Sequence, residues 1–190
     1  MIPGLRCLGL EKRLVFSGLI NELGELEMRY FANQFPQKVT CGKIECIRSL
    51  GLAAAEVNMN GGVLNAAASL GLIGQEAARN GVNEAVLDTA LALKALGEKA
   101  IDMKTLFSLQ LIAISLKELG KEAVRQGMEK EAIKSQFCLK ELHNFYIDSE
   151  NGFKVFNDDF FSLIGDIGRC AADAGLEKAA INAATLMEDF

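Results

Sequence analysis

The only histidine of the chain, His143, lies in the stretch LHNFYIDSENGFKVFNDDFF, close to Asn144, Tyr146 and Asp148. An imidazole, an amide, a phenol and a carboxylate so close together form the group best equipped to hold a ligand. Histidine changes charge near neutral pH, and the other three supply hydrogen-bond donors and acceptors. Lining an opened groove, they would bind a small molecule or a partner, and an enzyme built there is the alternative reading of the chain. The preferred reading is plainer: a divergent segment that widens one turn and repacks on its phenylalanines. Fold and proximity alone give no warrant for a site.

The remaining chemical pairs are weaker. Asp148 to Gly152, DSENG, has neither the alternating acidic spacing nor the later glutamate of a calcium loop, and its Ser, Asn and Gly are turn residues. Cys41 and Cys46 are spaced as C-x4-C, wider than a zinc knuckle and without a second pair. Cys46 and Cys138 read better as small core residues. Asp158 and Asp159 are adjacent, so on a helix they would point apart, and an N-cap role is expected instead. No phosphate loop, zinc-protease or nucleophile-elbow motif is present in the sequence. No catalytic residue, metal or cofactor is therefore assigned.

The elements that must position these residues come from a repeat. Gly51, Gly74, Gly97 and Gly120 are 23 residues apart, the next step lands on His143, and Gly168 follows after 25. Gly24 precedes Gly51 by 27. Taking these as anchors, the residue just before each is Leu23, Leu50, Ile73, Leu96, Leu119, Leu142 or Ile167. The residue four before is Ile20, Ile47, Leu70, Leu93, Leu116, Leu139 or Ile164, and Ala54, Ala77, Ala100, Ala123 and Ala171 lie three after. With the apolar positions at seven and eleven before, these offsets trace one helix face. Seven after three of the anchors stand Gly81, Gly127 and Gly175, each followed by an apolar residue, Val82, Met128 or Leu176. That is the signature of a Schellman stop. Each unit thus reads as one helix and a tight turn, two units forming an antiparallel pair.

A glycine inside a helix costs about 1 kcal/mol relative to alanine. Its recurrence in register calls for an offsetting gain, and close approach of neighbouring helices supplies one. The slot five before the anchor is also small, with Cys46, Ser69, Ala92, Ser115 and Cys138. Glycine and small residue together predict the contact ridge of stacked helices. His143 and Tyr146 replace the anchor glycine and the alanine three after it, so the repeat breaks there.

Composition agrees. Hydrophobic residues make up 50% and aromatics 7%, with two prolines and no tryptophan, which favours helix over strand. A net charge of −5, with both signs mixed along the chain, gives no basic stripe for nucleic acid. No segment is apolar for long enough to insert in a membrane. The five cysteines, with no export signal in MIPGLRCLGLEKR, point to reduced thiols and a cytoplasmic setting.

The phrase LxxLGxxAxxxG, with ExA following, resembles HEAT-like and armadillo-like helical repeat proteins of the uncharacterised prokaryotic kind, over roughly residues 40 to 187. The HEAT-type proline and aspartate–arginine ladder are absent from the sequence, and the units are similar single helices rather than distinct pairs. The resemblance implies a curved stack whose concave face binds another protein, and it carries no catalytic residues. The expectation is an all-α, antiparallel helical repeat stack (an α-solenoid) of about seven to eight helices in one domain, 1–190. An irregular N-terminal cap spans about 1–40, regular repeats about 41–142, and a divergent aromatic unit with a C-terminal cap about 143–190. The expected role is a non-catalytic interaction scaffold or regulatory module. A homodimer through a solenoid end is a further expectation, as is origin as part of a longer protein.

Overall fold

The computed structural model describes residues 37–149 and 157–188. Among them are seven helices and no strand: α1 Gln37–Glu56, α2 Asn60–Arg79, α3 Asn83–Asp102, α4 Leu106–Arg125, α5 Glu129–Asp148, α6 Asn157–Asp173 and α7 Glu177–Glu188. The Gly24 unit and most of the expected N-terminal cap lie outside the described residues. Helices α1 to α5 are each 20 residues long. A three-residue link completes the period of 23 from α1 to α5.

Every helix packs against the next and against the next but one, and against no others among those described. This pattern builds two layers, α1, α3, α5 and α7 in one and α2, α4 and α6 in the other. The core runs between them as a continuous strip. Leu70, Ile73, Leu93, Leu96, Leu116, Leu119, Leu139 and Leu142, all at the slots four before and one before an anchor, are fully buried. No described helix is long and apolar enough to cross a membrane.

The links repeat one hydrogen-bond pattern. At the end of α2, Val82 N–H donates to the Ala77 carbonyl at 2.9 Å and Gly81 N–H to that of Ala78 at 3.0 Å. The same two bonds recur at Met59 and Asn58, Thr105 and Lys104, Met128 and Gly127, and Leu176 and Gly175. The alanine three after the anchor is thus the acceptor of every such stop. The residue that donates to it also starts the next helix, since the Val82 carbonyl accepts Val86 N–H at 3.2 Å. Gly81, Gly127 and Gly175 adopt φ of +68°, +69° and +72°. Asn58 and Lys104, at φ 55° and 58°, hold the same left-handed position without being glycine, a conformation asparagine tolerates and lysine resists.

The anchor glycines sit where a side chain would collide. A Cβ on Gly74 would come within 2.6 Å of Thr89 on α3 and 2.9 Å of Leu119 on α4. On Gly97 it would meet Leu142 of α5 at 2.7 Å, and on Gly120 Ile167 of α6 at 2.7 Å. The helical cost of each glycine is offset by a leucine or isoleucine seated against its backbone from two helices on. The small slot performs the expected ridge contact too, since a Cβ on Gly71 would meet Ser115 at 3.0 Å.

Two local expectations are corrected. Cys46 is exposed rather than a core residue, unlike Ser69, Ala92, Ser115 and Cys138 in the same slot of later helices. Asp158 and Asp159 are the second and third residues of α6, which begins at Asn157. They lie in the first turn and not at the N-cap, and there the Asp159 carboxylate suits the positive end of the helix dipole.

Candidate functional site

The break in the repeat falls on α5, and its four singled-out residues do not share a face. His143 and Tyr146, one turn apart, are each only 3% exposed. Asn144 and Asp148, also one turn apart, are exposed. The His143 ring packs edge-on against Phe160 of α6, with centroids 5.8 Å apart and planes at 63°. Tyr146 reaches a small cavity of about 80 Å³ that it shares with Ala100, Ile101, Thr105, Leu109 and Ser149. The imidazole and phenol therefore lie inside the stack, and the amide and carboxylate face away from them.

Helix α5 also ends differently. Ser149 leaves it in an extended conformation, φ −70° and ψ 132°, with its N–H donating to the Phe145 carbonyl. The Ser149 hydroxyl donates to the Tyr146 carbonyl at 2.7 Å. The residues in the same place on α2, α3 and α4, namely Asn80, Met103 and Gln126, instead keep ψ near 0°.

Sequence reasoning missed a polar junction between α5 and α7. Gln136, fully buried, donates to the Ala179 carbonyl at 3.0 Å and accepts from Asn182 at 2.6 Å. Glu129 accepts the N–H groups of Lys178 and Ala179, at 2.9 and 3.4 Å, so a carboxylate from α5 caps the start of α7. The signal was there: Gln136 stands seven before its anchor, where Ile44, Ala67, Ala90 and Ala113 stand in other units.

Two larger grooves lie elsewhere. One of about 370 Å³ runs between α1 and α3 and is lined by Ile44, Arg48, Asp88, Leu91, Lys94 and Glu98, among others. Cys41 borders it, its thiol pushed up to about 11 by burial and by Asp88. Burial is the main cause that pushes Cys138 up to about 11, with smaller opposing effects from Lys134 and Lys94 and from Glu141 and Glu98. Both stay protonated at neutral pH and are poor nucleophiles. Burial works to lower the Lys94 pKa, but Glu141 at 3.1 Å and Glu98 at 3.3 Å outweigh it and raise it. This ion pair ties α3 to α5 across the outer surface. On the other layer, Arg79 of α2 reaches Glu122 of α4 at 3.5 Å, and Arg125 holds the same carboxylate at 2.9 Å. Burial raises Glu122, while hydrogen bonds from Arg125 and Gln126 and the charge of Arg79 bring it below the usual carboxylate range.

The second groove, about 440 Å³, opens on α6 and α7. Its walls are mostly small or apolar: Phe161, Gly165, Gly168, Ala172, Ala183, Ala184 and Met187. Among the described residues no three His, Cys, Asp or Glu side chains come together as a metal site.

No family model and no curated protein matches the sequence. Solved structures with the same fold include one titled "DHF46 filament", with a TM-score of 0.70 over 91% of this chain and 94% of that one. Another, titled "DHF91 filament", has a TM-score of 0.68 over 92% of this chain and 96% of its own. Identity is 15% in both cases, so the likeness is one of fold.

Proposed function

We propose that the chain is a non-catalytic protein–protein interaction module, HEAT-like or armadillo-like in the way it works, acting in the cytoplasm. One observation carries the reading. On the outer face of α3 and α5, Leu91 and Phe137 occupy the same slot, six before the anchor, and both are exposed, as is Phe145 further along α5. Salt-bridged Lys94, Glu98 and Glu141 rim them, and the groove between α1 and α3 opens beside them. An apolar centre with a charged rim is the make-up of a protein contact surface. The small-ligand or enzymatic alternative has less support, because His143 and Tyr146 are turned inward while Asn144 and Asp148 are turned out.

Self-association is a second part of the reading. The two structures of the same fold carry filament in their titles. Together with the open groove on α6 and α7, this supports stacking of copies through their ends.

Affinity capture from lysate tests the first part, comparing the chain with its Leu91→Glu, Phe137→Glu double variant. A single polypeptide recovered in near-stoichiometric amount, and lost with the variant, is the expected result. A small molecule retained in the native mass spectrum, and lost on His143→Ala or Tyr146→Ala, would overturn the reading in favour of a ligand site.

A further inference from the structure

The outer groove between α1 and α3 lacks a bridge that spans the next helix pair of the same layer. Between α3 and α5, Lys94 reaches across to Glu141 at 3.1 Å. Lys94 stands three before Gly97, and Glu141 two before His143. In the preceding pair the same two slots hold Arg48 on α1 and Ala95 on α3. Alanine offers no carboxylate, so no ion pair spans the helices at these slots. Arg48 pairs with Glu45 of its own helix instead, at 2.8 Å, beside the open volume of about 370 Å³. This groove lies between two described helices of one layer, not at an end of the array. On the inner side of the same pair, α2 packs against both α1 and α3. Two helices side by side thus already take a third in the groove between them.

The charge of the outer groove is unbalanced. Three carboxylates line it, Glu45, Asp88 and Glu98, against two cations, Arg48 and Lys94. Both cations are engaged: Arg48 by Glu45, and Lys94 by Glu98 at 3.3 Å and by Glu141. Asp88 forms no ion pair among the described residues. Its polar neighbour is the Cys41 thiol, which burial and Asp88 keep protonated and therefore neutral. Leu91, Ala92 and Ala95 supply apolar wall beside it. Apolar walls with one uncompensated carboxylate are complementary to an amphipathic helix that carries a cation beside its apolar face.

We infer that this groove takes an amphipathic α-helix of a protein partner, with apolar side chains on Leu91, Ala92 and Ala95 and a lysine or arginine on Asp88. The inference rests on the interaction-module reading above and adds the form of the partner and the sign of its charge. An acidic helix is selected against, because it would set a like charge on Asp88.

Fluorescence anisotropy of two synthetic probes titrated with the full chain tests this. Both probes are amphipathic helices with the same leucine face; one carries lysine on its polar face, the other glutamate. The lysine probe should bind more tightly. Asp88→Asn should weaken it about fivefold, and Asp88→Lys should shift the preference toward the glutamate probe. Glu177→Gln makes the same change of net charge as Asp88→Asn on α7, which packs against neither α1 nor α3. It should leave the affinity unaltered, which separates Asp88 from the overall negative charge. Ala95→Glu supplies the carboxylate that Glu141 offers in the next pair, and should close the groove to both probes. Circular dichroism should show the same helix content in every variant. A lysine probe that binds regardless of Asp88 and Ala95, a glutamate probe that binds as tightly, or no binding of either would overturn the inference. If the capture experiment above still succeeds, only the basic helix falls; if it fails too, the module reading falls with it.

Discussion

The junction of α1 with α2 and that of α5 with α6 use the same two slots and fill them in opposite ways. In the first, Gly51 faces Ala66, the residue eight before the next anchor. Gly74 with Thr89, Gly120 with Ser135 and Gly168 with Ala183 repeat the arrangement. In the second, the same slots hold His143 and Phe160, two rings in edge contact. These helices touch less than any other consecutive pair. The comparison teaches that side-chain volume at this one crossing sets how closely two helices approach. The break is a change of packing mode, with aromatic area replacing backbone proximity.

Breaking the aromatic junction should have the largest effect. Phe160 is fully buried, and Phe160→Ala should cost about 4 kcal/mol in urea unfolding, the usual scale for deleting a buried ring. A loss no larger than that of a surface substitution would mean the rings do not hold the junction.

Next comes a matched pair of glycine substitutions. Gly97→Ala should destabilise by about 1–2 kcal/mol, because the overpacking against Leu142 exceeds the gain in helix propensity. Gly42→Ala, in a helix with nothing within 4 Å of the added Cβ, should instead stabilise by about 0.5–1 kcal/mol. Equal signs at the two positions would remove the packing account of the anchors.

A smaller effect separates the layers by pH. The Glu122 pKa is lowered in the folded chain, so its contribution is present above the unfolded glutamate pKa of about 4.3 and is lost as pH falls through the folded value. Glu122→Gln should therefore cost about 1 kcal/mol at neutral pH. The difference from wild type should vanish at the acid end, as read from denaturation midpoints across pH. A pH-independent difference would contradict the arginine-paired role.

The smallest change sharpens the view of the links. Lys104→Gly relieves a left-handed lysine at φ 58° and should raise stability by about 0.5 kcal/mol. Gly127→Ala, at the same slot, should lower it by a similar or greater amount.

Much of the architecture was legible because it is written several times over. The recurrence of Leu96-Gly97 as Leu119-Gly120, and of Gly81 as Gly127 and Gly175, fixes helix length, stop and core face by repetition. What each glycine faces was not legible, since the partner lies two units on and only packing decides which neighbouring residue enters. Phe160, on the very next helix, could not be paired with His143 either, because only packing decides which ring enters. Asn58 and Lys104 escaped notice in the turn slot because side-chain identity does not announce a left-handed backbone, as glycine does. Asn144 and Asp148 looked like companions of His143 because they are near in sequence. On a helix, they turn to the opposite side.

The central claim is that a leucine or isoleucine from two helices on is seated against Gly51, Gly74, Gly97 and Gly120. A double-mutant cycle on Gly97 and Leu142, which lie on α3 and α5, tests it most directly. The three nearest atoms to an added Cβ on Gly97 all belong to Leu142, so removing the leucine should free the space that the alanine needs. In urea denaturation the account predicts that Gly97→Ala with Leu142→Ala is more stable than the sum of the single losses by about 1 kcal/mol or more. Costs that add to within about 0.5 kcal/mol, as for independent sites, would contradict it.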